Sequence, residues 1–140
     1  MPFREKSAWI MTLALLLGGF VYFRAAGVPW SESDELASPE IPMMLAYAGI
    51  LVAVAVAGHI ISAALAPKDA HAPVDERERQ IFNRAGHYSS FVTGFGVVIS
   101  LGFYILSSSG DLLFYSVFAS LLAGQIAEYA LQILFYRTSI

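Results

Sequence analysis

Five polar residues capable of chemistry, Glu128, Gln125, Gln132, His59 and His87, lie in or at the edge of long apolar stretches. Gln125, Glu128 and Gln132 recur at i, i+3 and i+7, so a helix gathers them into one polar stripe. An ionisable group in hydrocarbon costs a few kcal/mol, so such a residue faces the interior of a bundle and a partner there. Glu128 precedes Tyr136 by eight residues, about 12 Å along a helix. His59 sits at a comparable depth from the end of its own segment, and His87 is shallower. Three chemistries fit a convergence of Glu128, His59, Gln125 and His87. The first is a hydrogen-bonded pair that fixes helix register, Glu128 with His59 or with a hydroxyl of the third span. The second is a proton or small-cation site. The third is a metal or haem site with two histidine ligands, although no H-E-x-x-H or E-x-x-H spacing supports it. No cofactor and no dedicated metal site are therefore expected. A nucleophile elbow, a Gly-rich phosphate loop and a carboxylate pair are all missing from the sequence, which points away from an enzyme.

These residues need a scaffold of apolar helices, and the composition provides for one. The chain has 140 residues, room for a single domain, with 57% apolar and only 14% charged residues. Soluble domains carry about a quarter charged residues, so this deficit predicts a membrane protein. The formal charge of −3 gives no basic patch for nucleic acid. With no cysteine, disulfides, thiolate metal sites and cysteine nucleophiles are excluded.

Hydropathy divides the chain into four spans, at about 7–23, 43–65, 88–107 and 112–136. Arg4 and Lys6 precede the first, and Arg24 stands where a leader-peptide cleavage site would need a small residue. Pro29, Pro39 and Pro42 interrupt an acidic connection in which Trp30 and Leu36 offer contacts to a membrane surface. The second span is rich in alanine, and one face reads Ala48, Val52, Ala55, His59, Ser62. In the third, Gly86, Ser89, Thr93, Gly96 and Ser100 form a similar stripe. Small residues let helix backbones approach closely in lipid, so these two faces are expected to form the packing seam. Ser107 to Asp111, SSSGD, predicts a tight turn between antiparallel helices.

The one strongly charged run, DERERQIFNRAGH, starts at Asp75. Asp75 is placed to cap a helix, with Glu78 as its reciprocal capping-box partner. Glu76 has Arg79 and Gln80 within helical reach, and Arg84 follows Gln80 by four. A continuous helix of about 30 residues is roughly 45 Å long, which exceeds a bilayer core, so residues 75–87 are expected to project into the cytoplasm. Glu76, Arg77, Arg79 and Arg84 then present either a solvated, salt-bridged face or a docking surface. Arg4, Lys6, Lys68, Arg77, Arg79, Arg84 and Arg137 fall on one side of the spans and Arg24 alone on the other. That asymmetry predicts both termini in the cytoplasm.

The opening F-R-E-K-S-A-W-I and the D-E-R-E-x-x-I run before the third span resemble small uncharacterised bacterial inner-membrane proteins. Some of these carry D-E-R-D-x-x-I at the same place. The resemblance covers nearly the whole chain and implies a four-helix membrane domain, sometimes encoded beside small regulators, with no established activity. It transfers no catalytic residue.

Together these features predict an all-α integral membrane four-helix bundle, N-in/C-in, multi-pass in a bacterial cytoplasmic membrane, with the third helix extended into the cytoplasm. The expected function is that of a non-enzymatic accessory or regulatory component. Its partners would be the lipid bilayer, a second copy, or a membrane or cytoplasmic protein, and not nucleic acid. The alternative is a small proton- or cation-coupled transporter built around Glu128.

Overall fold

A computed structural model describes residues 3–28, 36–65 and 73–138. Trp30 and the linker around Lys68 lie outside the described residues. Four helices account for most of the chain: α1 (Phe3–Ala25), α2 (Ile41–Leu65), α3 (Glu76–Ser107) and α4 (Gly110–Arg137). Among the described residues there is no strand. Each helix is long and apolar enough to cross a membrane.

Local chemistry sets the helix ends. At the end of α1, Gly27 takes a left-handed φ of 75°. Its N–H donates to Arg24 O at 3.2 Å and the Val28 N–H donates to Phe23 O at 3.0 Å. This paired closure needs a residue without a Cβ penalty. α2 starts one residue before Pro42, whose missing N–H would have no partner in a first turn anyway. Asp75 caps α3 as expected, its carboxylate accepting from Glu78 N–H at 2.7 Å. Between α3 and α4 only Ser108 and Ser109 are non-helical: Ser108 is left-handed, and Ser109 caps α4 through Leu112 N–H.

So short a connection forces α3 and α4 to lie antiparallel and adjacent. Their contact is close. Gly96 lies against Ser120, Gly124 against Thr93, and the Ser100 and Ser120 hydroxyls are 3.5 Å apart. α4 also packs on α1, and α1 on α2, so the helices neighbour one another in the order α2, α1, α4, α3. Gly18 of α1 faces Tyr47, and Gly58 of α2 faces Ile10.

This order corrects the expected seam between the second and third spans. The backbones of α2 and α3 do not approach. The small stripe of α3 is real, but Ser120 and Gly124 of α4 fill it, while Ser62 of α2 is buried and Ala48 and Val52 stay exposed. Gly94 belongs to neither seam and has nothing within 4 Å of where a Cβ would stand. Gly94→Ala therefore gains helix propensity without a clash and should raise stability by up to about 1 kcal/mol in a detergent unfolding titration.

Two packing centres hold the array. At the α3–α4 turn end, the rings of Tyr22, Tyr47 and Phe118 meet at centroid distances of 4.8–5.4 Å, with Phe23, Phe114 and Tyr115 around them. Offset and edge contacts of this kind add about 0.5–1.5 kcal/mol per pair beyond area burial. Leu36 packs against this cluster, and Ala37 O accepts from Tyr115 Oη at 3.0 Å, so the stretch before α2 is drawn onto the helices. The second centre, at the end that carries both termini, is built from charges.

Candidate functional site

At the terminal end, α1, α3 and α4 are tied by one carboxylate. Glu78 Oε2 pairs with Arg4 Nε of α1 at 3.0 Å, and Glu78 Oε1 accepts from Tyr136 Oη of α4 at 3.3 Å. The Arg4 guanidinium also lies 5.9 Å from the centre of the Phe82 ring. Beside this cluster a second pair closes α1 on α4: Arg137 Nε donates to Glu5 Oε1 at 3.1 Å. The Glu5 side chain is only 7% exposed, whereas that of Arg137 is 59% exposed and stands 5.5 Å over the Trp9 ring. The clamp thus joins residues more than 130 positions apart in sequence.

The reciprocal capping box does not form, because the Glu78 carboxylate is committed to Arg4 and Tyr136. The expected pairing of Glu76 with Arg79 or Gln80, and of Gln80 with Arg84, is also not made. Glu76, Arg77, Arg79 and Arg84 are all exposed, and their side chains have no hydrogen-bond or ion-pair partner among the described residues. Helical spacing puts Arg77, Gln80 and Arg84 on one line, with Glu76 and Asn83 beside it. The result is a guanidinium-rich outward face on a helix whose inward face is fixed by Glu78, Ile81 and Ala85.

The intramembrane candidates sit elsewhere, and apart. His59 pins α2 to α1. Its Nδ1–H donates to Ala55 O at 2.6 Å, which leaves Nε2 to meet Ser7 Oγ at 2.6 Å. Both ring nitrogens are occupied, and neither contact is to a carboxylate. His87 is exposed on the outer face of α3, edge-on to Tyr88 and Phe91. On α4, Gln132 is buried, Glu128 is half-buried and Gln125 is exposed. None of the three side chains makes a hydrogen bond or ion pair among the described residues. The expected convergence of Glu128 with His59 and His87 is not assembled: α2 and α4 have no backbone approach, and the two histidines lie on different faces of the array. No three His, Asp or Glu side chains among the described residues are placed to hold a metal ion.

A groove of about 390 Å³ between α1 and α2 is lined by apolar residues such as Leu17, Val21, Leu51 and Val54. Tyr22 and Tyr47 close it on one side, and their hydroxyls are buried without a hydrogen-bond partner among the described residues. Among the described residues its lining includes no carboxylate, histidine, lysine or arginine.

Sequence reasoning missed the clamp, because Arg4, Glu5 and Arg137 counted only as flanking charges. It also missed the α4 half of the α3–α4 seam. Ser116, Ser120 and Gly124 recur every four residues, which is the same small-residue signal that marked α3. The chain matches no protein-family model, no curated protein and no solved structure.

Proposed function

We propose that this chain is a non-enzymatic accessory component of a bacterial cytoplasmic membrane that holds a partner protein on the outer face of α3. In this reading the four helices span the bilayer, and both termini and the first turns of α3 lie in the cytoplasm. Seven of the eight Lys and Arg residues on that side support the orientation. The resemblance carried by the opening residues and the Asp75 run supports the bacterial setting.

The observation that carries the proposal is the division of labour on one helix. Glu78 is drawn inward to Arg4 and Tyr136, while Glu76, Arg77, Arg79 and Arg84 face out with no ion-pair or hydrogen-bond partner among the described residues. A solvated face of a marginal helix is usually laced by its own i,i+4 pairs. Here the charges are left for another molecule. Arg77 and Arg84 in line, with Arg79 on the opposite flank of the exposed side, suit a partner surface that is mainly acidic, with fork-shaped contacts to carboxylates.

The test is affinity purification from native membranes. Reversing Arg77, Arg79 and Arg84 to Glu should lower the amount of retained partner by about tenfold or more, because like charges then face each other. Glu128→Gln, remote from that face, should leave retention unchanged. Equal retention by the triple reversal would overturn the proposal.

A further inference from the structure

We infer that two copies of this chain associate side by side through α4, each donating Gln125 and Glu128 to the other across a two-fold axis. The inference rests on the membrane insertion proposed above, and on a surface distinct from the outer face of α3.

On α4, Leu121, Gln125 and Glu128 follow at spacings of four and three, the stripe that a helix turns toward a neighbouring helix. Leu121 is 49% exposed, Gln125 is exposed and Glu128 half-buried, so no other helix of the same chain covers them fully. An amide and a carboxyl in hydrocarbon demand partners. Among the described residues neither side chain makes a hydrogen bond or ion pair. Hydroxyls of α3 and α4 donate to carbonyls of their own helices: Ser89 to Gly86, Thr93 to Ser89, Ser116 to Leu112 and Ser120 to Ser116. Between Arg84 and Arg137 the sequence contains no Lys or Arg. The exposed stripe thus carries two polar side chains without a hydrogen-bond partner among the described residues.

A second copy matches both residues at once. Two chains inserted the same way round are related by an axis along the membrane normal, so equal positions lie at equal depth. Gln125 then faces its counterpart, and the partner's copy of Glu128 lies about 4.5 Å along the axis, three residues at 1.5 Å each. Two long side chains reach across that offset. Each amide offers two N–H donors and one acceptor, and each carboxyl offers acceptors, so the set is self-complementary. A foreign helix bearing a single cation would satisfy Glu128 and leave Gln125 unmet. Polar groups at such a seam also fix register, a role that interhelical hydrogen bonds perform in lipid.

The sequence contains no cysteine, so a disulfide to this chain runs through the introduced thiol. Leu121→Cys places one thiol on the stripe and leaves Gln125 and Glu128 intact. Oxidation with copper–phenanthroline in native membranes should link most of the protein into a species of twice the chain mass. Val98→Cys, on an exposed position of α3, should remain monomeric. Adding Gln125→Leu and Glu128→Leu to Leu121→Cys should lower the linked fraction by at least about fivefold. A monomeric Leu121→Cys overturns the inference, as does equal linking at Val98→Cys, linking that survives the two leucines, or an adduct with a different protein. Carbonate extraction of the same membranes separates the two readings: release of the protein would overturn membrane insertion itself, whereas retention without linking overturns only the α4 pairing.

Discussion

Gly96→Leu and Gly124→Leu should each destabilise the protein by about 3 kcal/mol or more, the upper range for overpacking a close contact. A Cβ at Gly96 would stand 2.7 Å from Ser120 Cβ and 3.4 Å from Ser120 Cα. At Gly124 it would fall on Thr93 Oγ1, with the Thr93 Cα 3.5 Å away. In both cases a Cβ is part of the obstacle, Ser120 Cβ at 2.7 Å and Thr93 Cβ at 3.1 Å, and a rotamer change does not move a Cβ. The helices must move apart, and separation also breaks the Ser100–Ser120 contact. Alanine at either position should already be unfavourable, in contrast to Gly94→Ala two residues away. Pairing Gly96→Ala with Ser120→Gly moves the bulk across the seam and should recover part of the loss. Thermal unfolding in detergent, read by circular dichroism or by resistance to SDS, measures all of these. A Gly96→Leu protein as stable as the parent would mean that α3 and α4 are not in this contact.

Arg137→Ala should be the most damaging single change at the terminal end, at roughly 2–3 kcal/mol. It leaves the buried Glu5 carboxylate without its cation, and removing one partner of a buried pair is usually worth about 3–5 kcal/mol. The discount reflects Arg137, which is more than half exposed, so water already screens the pair. Loss of the guanidinium over Trp9 adds a smaller packing penalty. The decisive comparison is the double variant Glu5→Leu/Arg137→Leu. With both charges replaced by apolar groups nothing is left unpaired, and the cost should drop below about 1 kcal/mol. If the double variant is no more stable than Arg137→Ala, the stranded Glu5 charge is not the source of the loss.

Much of the architecture was legible from residue order alone. Composition and hydropathy marked four apolar helices because an unbroken run of apolar residues has one stable way to meet its backbone hydrogen bonds in a dry setting. Asp75 and the SSSGD turn mark helix boundaries by local chemistry that needs no knowledge of neighbours. The charged site was only half legible. The pattern of DERERQIF predicted a capped helix but assigned its charges to one another at i,i+3 and i,i+4. Glu78 instead pairs with Arg4, 74 positions away in sequence, because α1 and α3 both begin at this end on either side of α4 and the Arg4 side chain reaches to 3.0 Å. Glu76, Arg77, Arg79 and Arg84 are consequently left facing outward.

What the sequence determined by itself was the set of helices, their ends, and which residues would be costly to leave without partners. Which helix meets which was decided by the tertiary structure. Gly86, Ser89, Thr93, Gly96 and Ser100 announce a close contact but do not name its other side. The two-residue link through Ser108 and Ser109 gives that side to α4, and α2 is left with α1 alone. The same arrangement separates His59 from Glu128. Periodicity places a side chain on a face of its own helix, whereas contact between faces depends on which helices lie adjacent. Adjacency here follows from connection length, the Glu5 and Glu78 ion pairs, and the ring cluster at Tyr22.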